Sequence, residues 1–493
     1  MLDNSTDRLP LRYNHLVTDF QPDSKKLRHW LNELTAFVER QILAMETDPA
    51  MGVVGSEGIA LAEGLSLPIS ETPQEEFGAL LRHIESAAQL SLRANGPGYM
   101  AYVPGGGLVT AAFAECIAGV LNRFTGIEAA APALVRFESD VLSWLCAEFG
   151  LGPNARGIFT SGGSSANLTA MITARHVSFG ESGDYRDALV FVSDQVHHSV
   201  SKSLRLAGIP SKNLVKIGVD SEFRMDVAAL ERAVRASTHR RPFLVVVSAG
   251  TTNTGSIDPL EEISEICRRY GLWMHVDGAY GGSFVLCARG KELLAGIEQA
   301  DSITFDPHKG MFLPYGTGCL LVREGHHLAE AHRGDAGYLQ DFDALNRAHA
   351  VPSPASYGPE LSRPYRGLSL WLPLMVHGAG AFRRGLDEKL TLTQEIWTQM
   401  GVLPLELMGP PQLTAFAFRL PRQPEESLDK WNARNQRFLK RINAYNRVHL
   451  SSTPLSVVDG DAFSIRVCIL SFRTHMRHVN WLLEDVERAC RED

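Results

Sequence analysis

The sequence predicts an α/β protein in which helices cover a mostly parallel sheet, followed by a smaller α+β unit. Short β-rich runs alternate with helical or loop stretches from about residue 157 onwards. Several of these runs are apolar along their whole length, as in FLVVVS at 243–248. Such runs are typical of parallel strands, because both faces of a parallel sheet are buried.

Length and composition restrict the class of protein further. The chain has 493 residues, of which 44% are hydrophobic and 21% charged, as in globular proteins of several domains. Its net charge is −8 and it has no basic block, which argues against binding to nucleic acid or to an anionic membrane. The seven cysteines are scattered and never form a C-x-x-C pair. We therefore expect reduced thiols, no metal site and a cytoplasmic location.

Changes in residue pattern along the chain divide it into three parts. Amphipathic helical patterns predict an N-terminal helical segment at 1–95. The Gly- and Pro-rich segment Asn95–Gly107 marks its end. We expect a large domain at 96–368 and a small C-terminal α+β domain at 369–493.

Strands and helices alternate within the predicted large domain. The strands are predicted at Ala188–Val192, Leu214–Ile217, Phe243–Ser248, Leu272–Asp277, Ser302–Phe305 and Thr317–Val322. The helical patterns cover 25–46, 73–94, 108–149, 165–179 and 259–270. Because parallel strands end at a common edge where α/β sheets bind ligands, the residues after each strand are candidates for a site.

Two of these strand ends carry small or aromatic polar residues. The segment Gly157–Asn167 (GIFTSGGSSAN) reads as a strand, then glycines and serines, then a helix. Backbone N–H groups at such a helix start can bind an anion, although serine there also serves as a simple N-cap. In Ser193–Ser199 (SDQVHHS), a histidine just after a strand can stack on a flat aromatic ligand or can cap a helix. The adjacent pair His197–His198 does not indicate a metal site, because consecutive side chains point apart.

Two further strand ends carry charged residues. The segment Leu272–Gly282 (LWMHVDGAYGG) places Asp277 at the end of an apolar strand, where its charge requires a cation or N–H donors unless it is a turn or cap residue. In Asp301–Gly318 (DSITFDPHKGMFLPYGTG), Lys309 follows a strand and precedes apolar sequence. We expect burial to lower the pKa of Lys309, which would make its amine a nucleophile.

Together, the four segments meet the requirements of one cofactor. Pyridoxal 5′-phosphate (PLP) needs a lysine for its Schiff base, a carboxylate at its pyridine nitrogen, a group stacked on its ring and an anion site for its phosphate. Each segment alone is ambiguous, but the combination indicates a PLP enzyme.

The sequences of these motifs resemble those of one protein family. SDQVHHS, VVVSAGTTNTGSIDPL, HVDGAYGG and DPHKG, in this order, are similar to the PLP-dependent group II amino-acid decarboxylases. That family includes the aromatic-L-amino-acid, glutamate and cysteine-sulfinate decarboxylases. The resemblance implies the aspartate-aminotransferase-like fold (fold type I), with a seven-stranded sheet in the large domain. It also implies a homodimer with the active site at the subunit interface.

The resemblance assigns roles to individual residues. Lys309 corresponds to the Schiff-base lysine, Asp277 to the partner of the pyridine nitrogen, and His197 to the stacking histidine. Ala279 would lie beneath the ring and His308 near the phosphate. The remaining cofactor-binding candidates are Gly163, Ser164 and Ser165 at the phosphate and Thr251 near the other edge of the cofactor.

Catalytic and substrate residues are implied in the same way. Tyr338, in DAGYLQ, falls on the tyrosine taken to protonate the substrate carbon after CO2 leaves. Tyr102, Val103 and Pro104 fall in the family's substrate pocket, and the ring of Tyr102 suits an aromatic amino acid. An acidic substrate would need a cation such as Arg123 or a residue of the partner subunit.

Other functions stay open at this point. Diaminobutyrate is a further substrate candidate, and the same scaffold supports aldehyde synthases and transamination. A catalytically silent scaffold protein is the alternative outside enzymology, although the intact catalytic residues argue against it.

Overall fold

The computed structural model describes residues 20–181, 183–237, 239–334 and 353–493. These residues form two compact units. The first contains the described residues up to Leu92 except Pro49–Met51, and the second contains Pro49–Met51 and Arg93–Asp493. The predicted division of the second unit at residue 368 stays a prediction.

The first unit contains three helices. They are α1 (Ser24–Ala44), α2 (Gly55–Glu63) and α3 (Phe77–Ala88). The carboxylate of Asp23 caps α1 by accepting a 2.8 Å hydrogen bond from the backbone N–H of Lys26. Helices α1 and α3 contact each other, with the rings of Trp30 and Phe77 5.3 Å apart. The two predicted helical patterns are therefore confirmed, although α3 is shorter at both ends than 73–94.

The second unit contains the predicted seven-stranded sheet. Its strands are β1 (Arg156–Thr160), β2 (Ala188–Ser193), β3 (Leu214–Ile217), β4 (Arg241–Ser248), β5 (Trp273–Asp277), β6 (Ser302–Phe305) and β7 (Gly318–Val322). Their spatial order is β1-β7-β6-β5-β4-β2-β3. Every pair is parallel except those formed by β7, which runs antiparallel to β1 and β6. The mostly parallel sheet predicted from the sequence is confirmed.

Helices precede, connect and follow the strands of this sheet. They are α4 (Val109–Leu121), α5 (Pro132–Glu148), α6 (Gly163–Phe179), α7 (His198–Leu206), α8 (Val227–Ala236), α9 (Leu260–Tyr270), α10 (Ala288–Leu293), the short turn α11 (Pro307–Gly310) and α12 (His326–His332). The helical pattern predicted over 108–149 is two helices. The first ends at Leu121 and is terminated by the left-handed backbone of Asn122 (φ 43°), and the second begins at Pro132.

Both faces of the seven-stranded sheet are buried. All six residues of β2 are buried, with Phe191 in one hydrophobic cluster and Val190 and Val192 in the other. Val245 and Val246 of the neighbouring strand β4 alternate between the same two clusters. Burying each such side chain contributes about 1.5–3 kcal/mol, which explains why these strands are continuously apolar.

The C-terminal part of the second unit has its own antiparallel sheet. Its strands are β8 (Glu406–Met408), β9 (Ala415–Arg419), β10 (Ser451–Val457) and β11 (Gly460–Cys468), in the order β10-β11-β9-β8. The helices in this part of the chain are α13 (Arg366–His377), α14 (Ala379–Met400), α15 (Leu428–Ala444) and α16 (Met476–Arg491), of which α13 contacts α4 and α5. This arrangement confirms the predicted α+β character. No helix among the described residues combines the length and the apolar character needed to cross a membrane.

Candidate active site

The order of the sheet brings five strand ends to one edge. Because β7 runs antiparallel to both β1 and β6, those two strands point in the same direction as β2, β4 and β5. Thr160, Ser193, Ser248, Asp277 and Phe305, the last residues of these strands, therefore lie along one edge of the sheet. The polar segments that the sequence pattern indicates all follow directly after these residues.

Lys309 lies on the short turn α11 that follows β6. Its Nζ lies 2.9 Å from Oδ2 of Asp306, and its side chain is 23% exposed. Burial on its own lowers the pKa of Lys309, but the negative charges of Asp306 and then Asp277 outweigh it, and the net pKa is raised. The expectation that the pKa of Lys309 is lowered is therefore wrong. The reason is the counter-ion Asp306, three residues earlier in the same turn, which the sequence analysis does not single out.

Asp277 ends β5 with its carboxylate held by neutral donors. The side-chain amide of Asn167 donates to Oδ2 at 3.0 Å, and the backbone N–H of Ala279 donates to Oδ1 at 3.2 Å. The residue is 8% exposed. A buried carboxylate that receives only two neutral donors retains the capacity to accept a hydrogen bond from a cationic ring nitrogen.

His197 caps α7 and also lines the cavity described below. Its Nδ1 lies 2.7 Å from Ser199 Oγ and accepts a 3.3 Å hydrogen bond from the backbone N–H of Ser199. Because a backbone N–H can only donate, Nδ1 is an acceptor and a neutral ring carries its proton on Nε2. Burial lowers the pKa of His197, with the charge of Asp277 acting in the opposite direction, so the neutral form is favoured.

Two adjoining cavities lie at this edge of the sheet, and His197, Ala279 and Lys309 line both. The larger encloses about 260 Å³ and is lined also by Ser161, Gly162, Gly163, Ser164, Ser165, Asn167, Ser199, Asp306 and His308. The smaller encloses about 30 Å³ and is lined also by Ser248, Gly250, Thr251, Thr252, Asp277 and Tyr280. All of the predicted cofactor-binding residues therefore surround one site.

The larger cavity has the features of a phosphate site. The first backbone N–H groups of α6 have no acceptor within the helix, and they come from Gly163 and Ser164. The hydroxyls of Ser161 and Ser165 lie 2.8 Å apart at the same helix start. A Cβ on Gly163 would lie only 2.8 Å from Asp306 Oδ2, so glycine is required for this close approach. These donors fit the phosphate of PLP.

His308 lines the larger cavity and Thr251 the smaller, and Lys309 lines both. His308 donates from Nδ1 to the backbone carbonyl of Thr317 at 2.7 Å, and burial lowers its pKa. Its Nε2 is thus an acceptor or a weak base. The hydroxyl of Thr251, in the smaller cavity, is hydrogen-bonded to that of Thr254 at 2.8 Å.

The predicted substrate residues line neither of these cavities. Tyr102 is 57% exposed and has a left-handed backbone (φ 50°), which is uncommon for a residue with a Cβ. Val103 is half-buried and Pro104 is buried. Tyr338 lies outside the described residues.

Several residues at the site are not indicated by the sequence pattern. Asn167, Ser199 and Asp306 stand inside the quoted motifs. The contacts of Asn167 with Ser199 and Asp277 join segments distant in sequence and leave no local pattern, whereas Asp306 pairs with Lys309 three residues later. Arg466, on β11, is 2% exposed and donates from Nη1 to the carbonyl of Tyr102. Its Nε and Nη2 have no hydrogen-bond partner among the described residues. An arginine in the apolar run FSIRVCIL is the one signal that could have identified it.

The fold and the site together define a PLP-dependent enzyme of fold type I. The family model described as "Pyridoxal-dependent decarboxylase conserved domain" matches residues 66–420, more than half of the chain. The chain therefore belongs to the PLP-dependent decarboxylase family and is a carboxy-lyase.

Named relatives agree with this assignment. The chain is 32% identical over 399 residues to an aromatic-L-amino-acid decarboxylase of Bacillus atrophaeus, covering 80% of this chain and 82% of the relative. It is 29% identical over 431 residues to an L-2,4-diaminobutyrate decarboxylase of Acinetobacter baumannii, covering 83% and 82%. The crystal structure of Oryza sativa TDC with PLP and tryptamine superimposes with a TM-score of 0.87 at 23% identity, covering 96% of this chain and 99% of that chain. This last similarity concerns the fold.

Proposed function

We propose that this enzyme removes the α-carboxylate of an aromatic L-amino acid to give the corresponding amine and CO2. The observation that carries the proposal is the convergence of Lys309, Asp277 and His197 on adjoining cavities at one edge of the sheet. A nucleophile, a ring-nitrogen partner and a ring-stacking group are together what amino-acid chemistry with PLP requires.

Each cofactor-binding residue has a distinct role in this proposal. Lys309 binds the cofactor covalently, and the Asp277 carboxylate accepts a hydrogen bond from the ring nitrogen. His197 and Ala279, which line both cavities, would lie against the ring. The phosphate is bound by Gly163, Ser164 and Ser165 at the start of α6, with His308 beside it and Thr251 at the opposite edge.

In this proposal, side chains of the enzyme hold or donate the protons that the reaction needs. When bound, PLP supplies an electron sink for the electron pair left at the substrate carbon as CO2 departs. Asp277 keeps the ring nitrogen protonated, which makes that sink effective. The carboxylate of Asp306, 2.9 Å away, would hold the ammonium of Lys309 when its amine is not bound to the cofactor. Tyr338 donates the proton that completes the amine, as the resemblance of DAGYLQ implies.

In this proposal, the substrate is selected by contacts with its carboxylate and with its side chain. The Nε and Nη2 groups of the buried Arg466 have no hydrogen-bond partner among the described residues, so they are available to bind a carboxylate. Burial raises the pKa of Tyr280, which lines the smaller cavity, and the positive charge of Arg466 opposes that rise. The ring of Tyr102 offers an aromatic contact to the substrate side chain. The 29% identical diaminobutyrate decarboxylase makes diaminobutyrate the second candidate.

We also propose a homodimer with the active site at its interface, and a cytoplasmic location. The side chains of Phe113, Ile117 and Val120 on α4 are 48%, 44% and 82% exposed. Their spacing places them on one helical face, and a contiguous apolar face of this kind is typical of a surface covered by another subunit. The exposed Tyr102 would then reach the active site of the partner subunit.

A panel of amino acids tests the reaction and the substrate together. Purified enzyme with PLP is incubated with tyrosine, tryptophan, phenylalanine, diaminobutyrate, glutamate and aspartate, and CO2, amine, ammonia and hydrogen peroxide are measured. The proposal predicts stoichiometric CO2 and amine with an aromatic substrate. Aldehyde with peroxide would instead identify an aldehyde synthase, and CO2 from diaminobutyrate alone would establish the second candidate.

A further inference from the structure

A buried chain of hydrogen bonds joins the carboxylate of Asp277 to the imidazole of His197, and Asn167 lies at its centre. Asn167 is 1% exposed on α6. Its Nδ2 lies 3.0 Å from Asp277 Oδ2 and 3.1 Å from Ser199 Oγ, and its Oδ1 lies 3.0 Å from His275 Nε2. One amide therefore contacts three polar groups from three different positions in the chain.

The direction of each hydrogen bond on the His275 side follows from Asp277. A carboxylate can only accept, so the Asn167 atom facing it is the NH2 group, and the atom facing His275 is the carbonyl oxygen. His275 therefore donates from Nε2. Burial lowers the pKa of His275 to about 4, so the ring is neutral and its Nδ1 accepts from the hydroxyl of Ser302 at 2.8 Å. Trp273, which can only donate, completes the chain with a 2.8 Å bond to Ser302.

The hydrogen bonds that run from Asn167 through Ser199 to His197 fix the tautomer of His197. The second hydrogen of the Asn167 amide is donated to Ser199 Oγ, which directs the Ser199 hydroxyl hydrogen to His197 Nδ1 at 2.7 Å. The backbone N–H of Ser199 donates to the same nitrogen. His197 consequently presents Nε2–H as its free polar group. Every member of the network other than Asp277 is neutral.

We propose that Asn167 is the positioning residue that sets, through one amide, both the orientation of the Asp277 carboxylate and the tautomer of His197. The inference rests on the proposed roles of these two residues at the cofactor ring. Its consequence is that their contributions to cofactor binding are coupled. Without the amide, the carboxylate loses one of its two donors and the Ser199 hydroxyl loses the donor that orients it.

The test is a double-mutant cycle on the affinity of the apoenzyme for PLP. The variants are Asn167→Ala, Ser199→Ala and both together, and Thr173→Val is the matched control. Thr173 is a fully buried polar residue on α6, but its hydroxyl contacts Thr169 and His332 and none of the cofactor-binding residues. Dissociation constants come from absorbance titration with PLP, and urea midpoints of each apoenzyme establish that it is folded.

The proposal predicts that Asn167→Ala weakens PLP binding about tenfold and Ser199→Ala several-fold. The double variant should bind PLP at least about fivefold more tightly than the product of the two single losses predicts. Thr173→Val should bind PLP as the wild type does. Three results would each overturn the proposal. They are losses of PLP affinity in the two single variants that simply multiply in the double variant, an unchanged PLP affinity in Asn167→Ala, and an equal loss of PLP affinity in Thr173→Val.

A replacement variant and the wild-type measurement distinguish failure of the Asn167 proposal from misfolding and from failure of the proposed function. If Asn167→Ala does not fold, Asn167→Thr replaces it in the cycle, because its hydroxyl can serve Asp277 or Ser199 but not both, and the same non-additivity is expected. If the wild-type apoenzyme itself does not bind PLP, the proposed function fails. Additive losses with normal wild-type binding overturn only the role of Asn167.

Discussion

Lys309 Nζ and Asp306 Oδ2 are 2.9 Å apart in a turn that begins where β6 ends. The carboxylate is 2% exposed, so the pair is largely withdrawn from water. Burial lowers the pKa of Lys309, and the charge of Asp306 more than reverses that effect. The ammonium form is thus favoured, whereas the free amine is the nucleophile that reacts with an aldehyde. Asp306 controls when that amine is available.

Replacing Asp306 by asparagine should move cofactor capture to lower pH. With the counter-ion removed, burial dominates, the pKa of Lys309 falls and more free amine is present near neutral pH. The rate of PLP incorporation into the apoenzyme is followed by stopped-flow absorbance from about pH 6 to about pH 9. The half-maximal pH of Asp306→Asn should be lower than that of the wild type.

Asp301→Asn is the control for this pH dependence. Asp301 is a half-buried acid immediately before β6, and its carboxylate accepts from the backbone N–H of Met274 at 2.7 Å. Because it lines neither cofactor-binding cavity, its replacement should leave the half-maximal pH unchanged. An unchanged or higher half-maximal pH in Asp306→Asn would contradict the account.

His275 should make the apoenzyme sensitive to acid. Burial lowers its pKa from 6.5 to about 4. A group whose pKa is lowered by folding stabilises the native state above its unfolded pKa, and that contribution is lost as the pH falls. The difference between the two pKa values corresponds to about 3 kcal/mol of unfolding free energy, lost between about pH 6.5 and about pH 4.

Urea unfolding of the apoenzyme at about pH 7.5 and about pH 5 measures this effect. The midpoint of the wild type should fall further between the two pH values than that of His275→Gln. His377→Gln, which replaces an exposed histidine, should behave like the wild type. Parallel losses in wild type and His275→Gln would show that another group is responsible.

Arg466→Lys should weaken substrate binding without affecting the cofactor. Lysine keeps the charge but loses the planar fork that binds a carboxylate through two N–H groups, so we expect KM to rise about 100-fold. The control is Arg419→Lys on the neighbouring strand β9, where a buried arginine is already paired with Glu406 at 2.7 Å. Steady-state kinetics and PLP titration distinguish the two effects. If PLP affinity falls and KM is unchanged, Arg466 does not bind the substrate.

Tyr338→Phe should retain PLP and lose amine formation. The phenolic proton that completes the amine is absent in this variant, so the substrate carbon is instead oxidised by O2, which gives aldehyde, ammonia and hydrogen peroxide in place of amine. Amine, aldehyde and hydrogen peroxide are quantified with the best substrate of the panel. Tyr357→Phe, which removes the hydroxyl of a buried residue away from the cofactor-binding cavities, should form amine at the wild-type rate. Undiminished amine formation in Tyr338→Phe would place the proton donor elsewhere.

Much of the fold could be predicted because the dominant interactions are local or periodic. The run FLVVVS is buried on both faces of the sheet, so its apolar character alone predicts a parallel strand. By contrast, the helical periodicity predicts one helix over 108–149, whereas the chain leaves the helix at the left-handed Asn122 and begins the next helix at Pro132.

The candidate site could be predicted in its residues but not in its electrostatics. Lys309 and Asp277 follow strands whose ends must meet, so their proximity follows from sheet topology. The pKa of Lys309 depends on which rotamer brings it to Asp306, and the position of Asn167 depends on a contact with Asp277 that spans 110 residues. No sequence pattern encodes the contact between Asn167 and Asp277, because it arises only when the sheet is assembled.

The most direct test of the account is to locate the lysine that binds the cofactor. The holoenzyme is reduced with borohydride, digested, and its peptides are mapped by mass spectrometry. The account predicts a pyridoxyl group on Lys309 alone, and none in a folded Lys309→Ala variant. A group on another lysine, such as the buried Lys389, or no modified peptide at all, would contradict it.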